Sequence, residues 1–162
     1  VSELAAHADA TTKATQLRLG AVEPLFGVEE GDLKPIAKKL RGQQSLALKL
    51  FATKNSDALY LAGLIADASQ MTKKQLNEWA NSATWHMIAG YSVTWVASEH
   101  ADALELACRW IDSKKELVAI AGWSTLSALA ATVPDDSLSM PAWQELLDRC
   151  VQQVAVALNR VR

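Results

Sequence analysis

Six basic residues, Lys34, Lys38, Lys39, Arg41, Lys49 and Lys54, fall within about twenty positions, and no acid stands between Asp32 and Asp57. Lys34, Lys38 and Arg41 recur at helical spacing, which puts them on one face opposite the apolar residues Leu33, Ile36, Ala37 and Leu40. Such a stripe can follow a phosphate backbone and makes binding salt-dependent, although a solvated outer face has the same composition. The second residue that could do chemistry is Trp85, in the uncharged stretch 79–98. An indole there can stack on a sugar or a cationic base, or simply fill a core. Trp123, in the other uncharged stretch, poses the same choice, while Trp79, Trp95, Trp110 and Trp143 are expected to pack.

Other chemistries lack their residues. His86 has no second ligand at useful spacing, and His7 and His100 are isolated, so no metal is expected. Cys108 and Cys150 form no CxxC pair and are expected to be reduced thiols. No phosphate loop or nucleophile motif occurs, and Glu99, Asp102, Glu105 and Asp112 have the spacing of a wet helix face. No cofactor is expected.

These side chains must be positioned by helices. Half the residues are hydrophobic, Ala and Leu abound, and Gly and Pro are few. At 162 residues the chain fits one domain, 1–162, with a continuous core. Asp32 is placed to cap a helix ending at Gly42, and Asn55-Ser56-Asp57 to start another. Thr72-Lys-Lys-Gln75 and Ser113-Lys-Lys-Glu116 have the form of capping boxes. Helices are expected over 84–98, 100–111 and 117–129, a turn at 133–137, and a last helix from Ser139-Met-Pro141 towards Arg162. Short polar joints suggest antiparallel pairs stacked as an α-solenoid, with a globular bundle as the alternative. The uncharged runs 79–98 and 117–134 then read as adjacent inner helices and not as membrane spans. A net charge of −2 and the absence of an apolar leader fit a cytoplasmic protein that does not coat nucleic acid indiscriminately.

The segment Asn81-Ser-Ala-Thr-Trp-His-Met-Ile-Ala-Gly-Tyr-Ser-Val-Thr-Trp95 resembles the signature helix of the DNA alkylation repair enzymes, the AlkD-like HEAT-type glycosylases. Phe26-Gly-Val28, Leu46–Lys54, Asp57–Ala62, Met71–Trp79 and Trp110-Ile-Asp-Ser113 continue the resemblance in order. It implies an all-α solenoid of HEAT-like helix pairs. It also implies an Asp four residues after Trp85 and paired Arg residues downstream. Here those places carry Ala89 and the apolar Leu117–Trp123, and the family pattern extends past Arg162. A carboxylate beside the departing base stabilises charge building on the sugar, and Ala89 supplies none. The implied function is DNA binding, through Trp85 and the six basic residues, with a lost or altered catalytic centre. The partner is double-stranded, alkylated or distorted DNA. The alternatives are a glycosylase with rearranged catalytic groups and a HEAT-like scaffold for a protein partner.

Overall fold

The computed structural model describes residues 1–134 and 139–156, with side chains to 153. All regular structure among them is helical: α1 (Ser2–Ala6), α2 (Ala10–Arg18), α3 (Glu30–Leu40), α4 (Gln44–Ala52), α5 (Ser56–Ile65), α6 (Lys73–Ser82), α7 (Thr94–Ser98), α8 (Ala103–Ile111), α9 (Glu116–Thr132) and α10 (Met140–Val156). A π-helical turn, Ile88–Val93, leads straight into α7. The expected turn at 133–137 and the end of the last helix lie largely outside the described residues.

Local chemistry sets some of the boundaries. Asn55 caps α5 by accepting from Ala58 N at 3.0 Å, and Thr72 and Gln75 form the expected capping box on α6. Two expectations are corrected. Asp32 lies inside the first turn of α3, which starts two residues earlier behind Glu29. There its charge still complements the helix N-terminus. The Ser113–Glu116 box does not form: α9 begins at Glu116 behind Lys115, and Ser113 Oγ instead accepts from Lys115 N at 3.1 Å. The chain enters α9 through this tight local turn, which leaves Ser113 too far back to reach the first helical amides.

The uncharged helices pack against each other, α9 against both the π-turn and α7, and their inner faces are buried. Two glycines permit this density. A Cβ on Gly63 of α5 would lie 2.6 Å from Ser92 Cα in the π-turn. One on Gly122 of α9 would lie 2.7 Å from Ile111 N of α8. The helix expected over 84–98 begins only at residue 86 and widens at Ile88. Amides in the wide turn reach back five residues, and Thr94 Oγ1 adds a bond to the Ala89 carbonyl at 3.2 Å. The turn thus inserts a residue without exposing its backbone.

The loop before α3 is fastened by a buried acid. Asp57, only 3% exposed, accepts from the amides of Phe26 at 2.6 Å, Gly27 at 3.3 Å and Val28 at 2.9 Å. Ser56 adds bonds to the Pro24 and Val22 carbonyls. Gly27 sits at φ +82°, where a Cβ would meet Lys13 N at 2.5 Å, so only glycine fits.

Candidate nucleic-acid groove

Helix α5 forms the floor of a groove whose walls are α3 and residues 86–98. The stripe Ser56, Asp57, Tyr60, Gly63 and Leu64 runs along that floor, one residue per turn or nearly so. At one end a cleft of about 200 Å³ is lined by Leu33, Tyr60, Trp85, His86 and Met87, with Glu30 at its rim. At the other end a cleft of about 240 Å³ is lined by Arg41, Leu64, Trp95 and Glu99. Tyr60 joins the two, because its ring meets Trp95 edge-on at 5.3 Å.

The basic run divides between surfaces. All six residues are exposed. The partner of Lys34, Glu30 at 2.9 Å, belongs to the Trp85 cleft, and Arg41 belongs to the Trp95 cleft. Arg41 alone of the six lines a cleft of the groove; Lys34 reaches the other cleft through Glu30, and Lys38 is exposed one turn further along α3. Lys54 lines a different cleft, with Phe51, Glu78 and Trp79. Lys39 and Lys49 are solvated and touch neither cleft of the groove. The groove is of mixed sign, since Glu30 and Glu99 stand in the same clefts.

Trp85 is only 7% exposed, and its indole N–H meets no protein acceptor. It forms a wall of the cleft, edge-on to His86 at 5.2 Å, and offers little free ring face. Ala89, at the position where the resemblance implies an acid, is completely buried in the core. The two carboxylates that share the Trp85 cleft are committed elsewhere: Asp57 to three backbone amides and Glu30 to Lys34.

Sequence reasoning missed Tyr60, Tyr91 and Trp95. Trp79 packs as expected, stacked on Phe51 at 3.9 Å with the rings nearly parallel, and Trp110 is buried with its N–H on Asn77. Trp95 is instead half-buried in the groove wall, and Tyr91 is exposed beside it. The available signal was the i, i+4 spacing of Tyr91 and Trp95. The neighbouring Tyr60 comes from a helix thirty residues away in sequence and gives no local sign.

Burial, then the nearby charge of Glu30 and the phenol of Tyr91, pushes the Tyr60 hydroxyl up to about 12 from 10.0. Tyr60 is therefore a neutral donor throughout the physiological range. Its folded value exceeds the unfolded one, so its contribution to stability is intact below pH 10 and is lost as pH rises towards 12. Absorbance titration of the phenolates should show a component with its midpoint near 12 that disappears in Tyr60→Phe. A titration complete well below that midpoint would contradict the packing of Tyr60.

The all-helical architecture is that of a HEAT-like helical repeat protein related to the DNA glycosylases, as its match to a solved structure shows. The chain belongs to the DNA alkylation repair enzyme family, whose sequence model matches residues 1–155. It superposes with a TM-score of 0.92 and 36% identity on a solved protein described as one of "a new family of proteins related to the HEAT-like repeat DNA glycosylases with affinity for branched DNA structures". That match covers 99% of this chain and 68% of the other. The uncharacterized proteins Lmo0209 of Listeria monocytogenes and Lin0241 of Listeria innocua are 31% and 30% identical over 142 residues. The chain covers 60% of the length of each. No helix among the described residues is long and apolar enough to cross a membrane.

Proposed function

We propose that this chain is a DNA-binding helical domain whose glycosylase centre has been lost, and that it holds DNA along the groove floored by α5. One observation carries the reading: Arg41 and the Glu30-paired Lys34 stand at clefts lined by Tyr60, Trp85 and Trp95, while the position four residues after Trp85 carries buried Ala89 and no uncommitted carboxylate shares the Trp85 cleft. These cations engage phosphates and fix the strand, without reading sequence. Lys39, Lys49 and Lys54 lie off the groove and contribute long-range attraction only. The affinity for branched DNA stated for the similar solved protein supports a distorted duplex as the ligand in place of regular B-form DNA.

Without an acid aimed at the sugar, a bound alkylated nucleotide gains no stabilisation of its developing positive charge. The chain then recognises DNA without excising bases. Glu30 supports a second reading, a glycosylase with rearranged groups, because it shares the cleft with Trp85. Its ion pair with Lys34 opposes that role.

Fluorescence anisotropy with labelled linear and four-way-junction DNA tests the binding. Affinity should fall steeply with salt. Reversing Lys34, Lys38 and Arg41 together to Glu should weaken binding at least about tenfold and flatten the log–log salt slope by about 3. Wild-type protein that binds neither DNA at low salt would defeat the reading and favour a protein-interaction scaffold. Release of 3-methyladenine from methylated DNA, lost in Glu30→Gln, would establish the second reading.

A further inference from the structure

Tyr60 of one cleft meets Trp95 of the other, and Tyr91 adjoins Trp95 on the exposed side. Trp95 lies edge-on to Tyr60 at 5.3 Å and 78°, and to Tyr91 at 5.8 Å and 61°. Tyr60 and Trp95 are half-buried, but Tyr91 is 45% exposed. Leaving a large ring in water forgoes the stabilisation that burial would bring. The backbone that presents it is also unusual. Tyr91 projects from the π-turn, an irregularity often found at functional sites. That turn is seated against α5 at Gly63, where no side chain keeps the backbones apart.

Charge helps to identify the occupant. Glu30 and Glu99 offset part of the positive charge, so phosphate attraction alone makes a modest grip. What the groove adds is a fixed aromatic surface with Arg41 beside it. In a duplex, each base already stacks on its neighbours and shows no free face. At a junction or gap a base is unstacked and can lie against a protein ring.

We propose that Tyr91, backed by Trp95 and Tyr60, is a stacking platform for an unpaired DNA base, with Arg41 holding the adjoining phosphate. This inference rests on the DNA-binding reading and names the feature of DNA that the groove selects. Tyr60 stays neutral, so the ring that backs the platform adds no charge to repel the backbone. The basic residues set overall affinity, and Tyr91 sets the preference for branched over linear DNA.

The test compares a junction carrying 2-aminopurine at an unpaired branch position with a linear duplex of the same sequence. Tyr91→Ala should weaken junction binding about tenfold and leave duplex binding nearly unchanged, the magnitude expected for one stacked base. Wild-type protein and Tyr91→Phe should quench the 2-aminopurine emission, and Tyr91→Ala should not. Because Tyr91 is exposed, the variant should keep the wild-type circular dichroism spectrum and melting temperature. Equal loss on both DNAs, or no loss on either, overturns the platform while leaving DNA binding intact. Wild-type protein that binds no DNA overturns both proposals. Capture of a protein partner that depends on Tyr91, without DNA binding, would reassign the surface.

Discussion

Replacing Asp57 with Ala should cost on the order of 4 kcal/mol of stability, more than the loss of one hydrogen bond. The carboxylate is buried, and it is the acceptor for three consecutive backbone amides from Phe26 to Val28. Removing it strands those donors away from water, at about 1–3 kcal/mol each before relaxation. It also removes a negative charge from the first turn of α5, where the helix dipole favours one. The loop cannot easily rearrange, because Gly27 is pressed against Lys13 of α2 and its N-cap residue Asp9. Urea denaturation should show the lost free energy, and the melting temperature should fall by roughly 10 °C. Asp57→Asn keeps one acceptor oxygen and should lose less. A change below about 1 kcal/mol for Asp57→Ala would mean that the loop is held by other contacts. Leu25 and Val28 of the same loop line the Trp85 cleft, so a loosened loop should also weaken DNA binding.

Ala89→Asp should destabilise the protein by about 3 kcal/mol or more, and it should not restore base excision. Ala89 is 0% exposed and lies in the main core, against which Trp85 also packs. A carboxylate there faces apolar neighbours with no cation to pair with. Burial raises the pKa of such a group above about 3.9. The native state then binds the proton more tightly than the unfolded chain does. The penalty is therefore smallest below that unfolded value and grows as pH rises through the folded one. Melting curves at pH 4 and pH 7 should show the variant closer to wild type in acid. Chromatography of methylated DNA incubated with either protein should detect no released 3-methyladenine. Robust release by the unaltered chain would show that another residue performs the chemistry. Restored release in Ala89→Asp would show that the buried position opens to DNA.

The helical architecture was legible from local rules because each of its causes is local. Periodic apolar residues mark the buried face of α3, Asn55 and Thr72 cap their helices within three residues, and uncharged stretches mark the inner helices. The resemblance around Trp85 led to the family that the sequence model matches over residues 1–155. The exposed cations of 34–41 were also readable, since Lys34 and Lys38 share a face of α3 at helical spacing and Arg41 stands just past its end.

What the cations border was decided by packing. Three helices far apart in sequence meet to make the groove, and their approach depends on Gly63 and on a π-turn that no residue count announces. The added residue in that turn resets the helix face after Ile88, burying Ala89 and Ser92 and leaving Tyr91 in water. The sequence leaves Trp85 open between stacking on DNA and filling a core; the fold buries it, because it closes a cleft walled by loop and helix residues earlier in the chain. Asp57 reads as an ordinary helix-start acid. Only the folded chain brings the Phe26–Val28 amides to it, from thirty residues away, because those donors have no partner until α5 is docked.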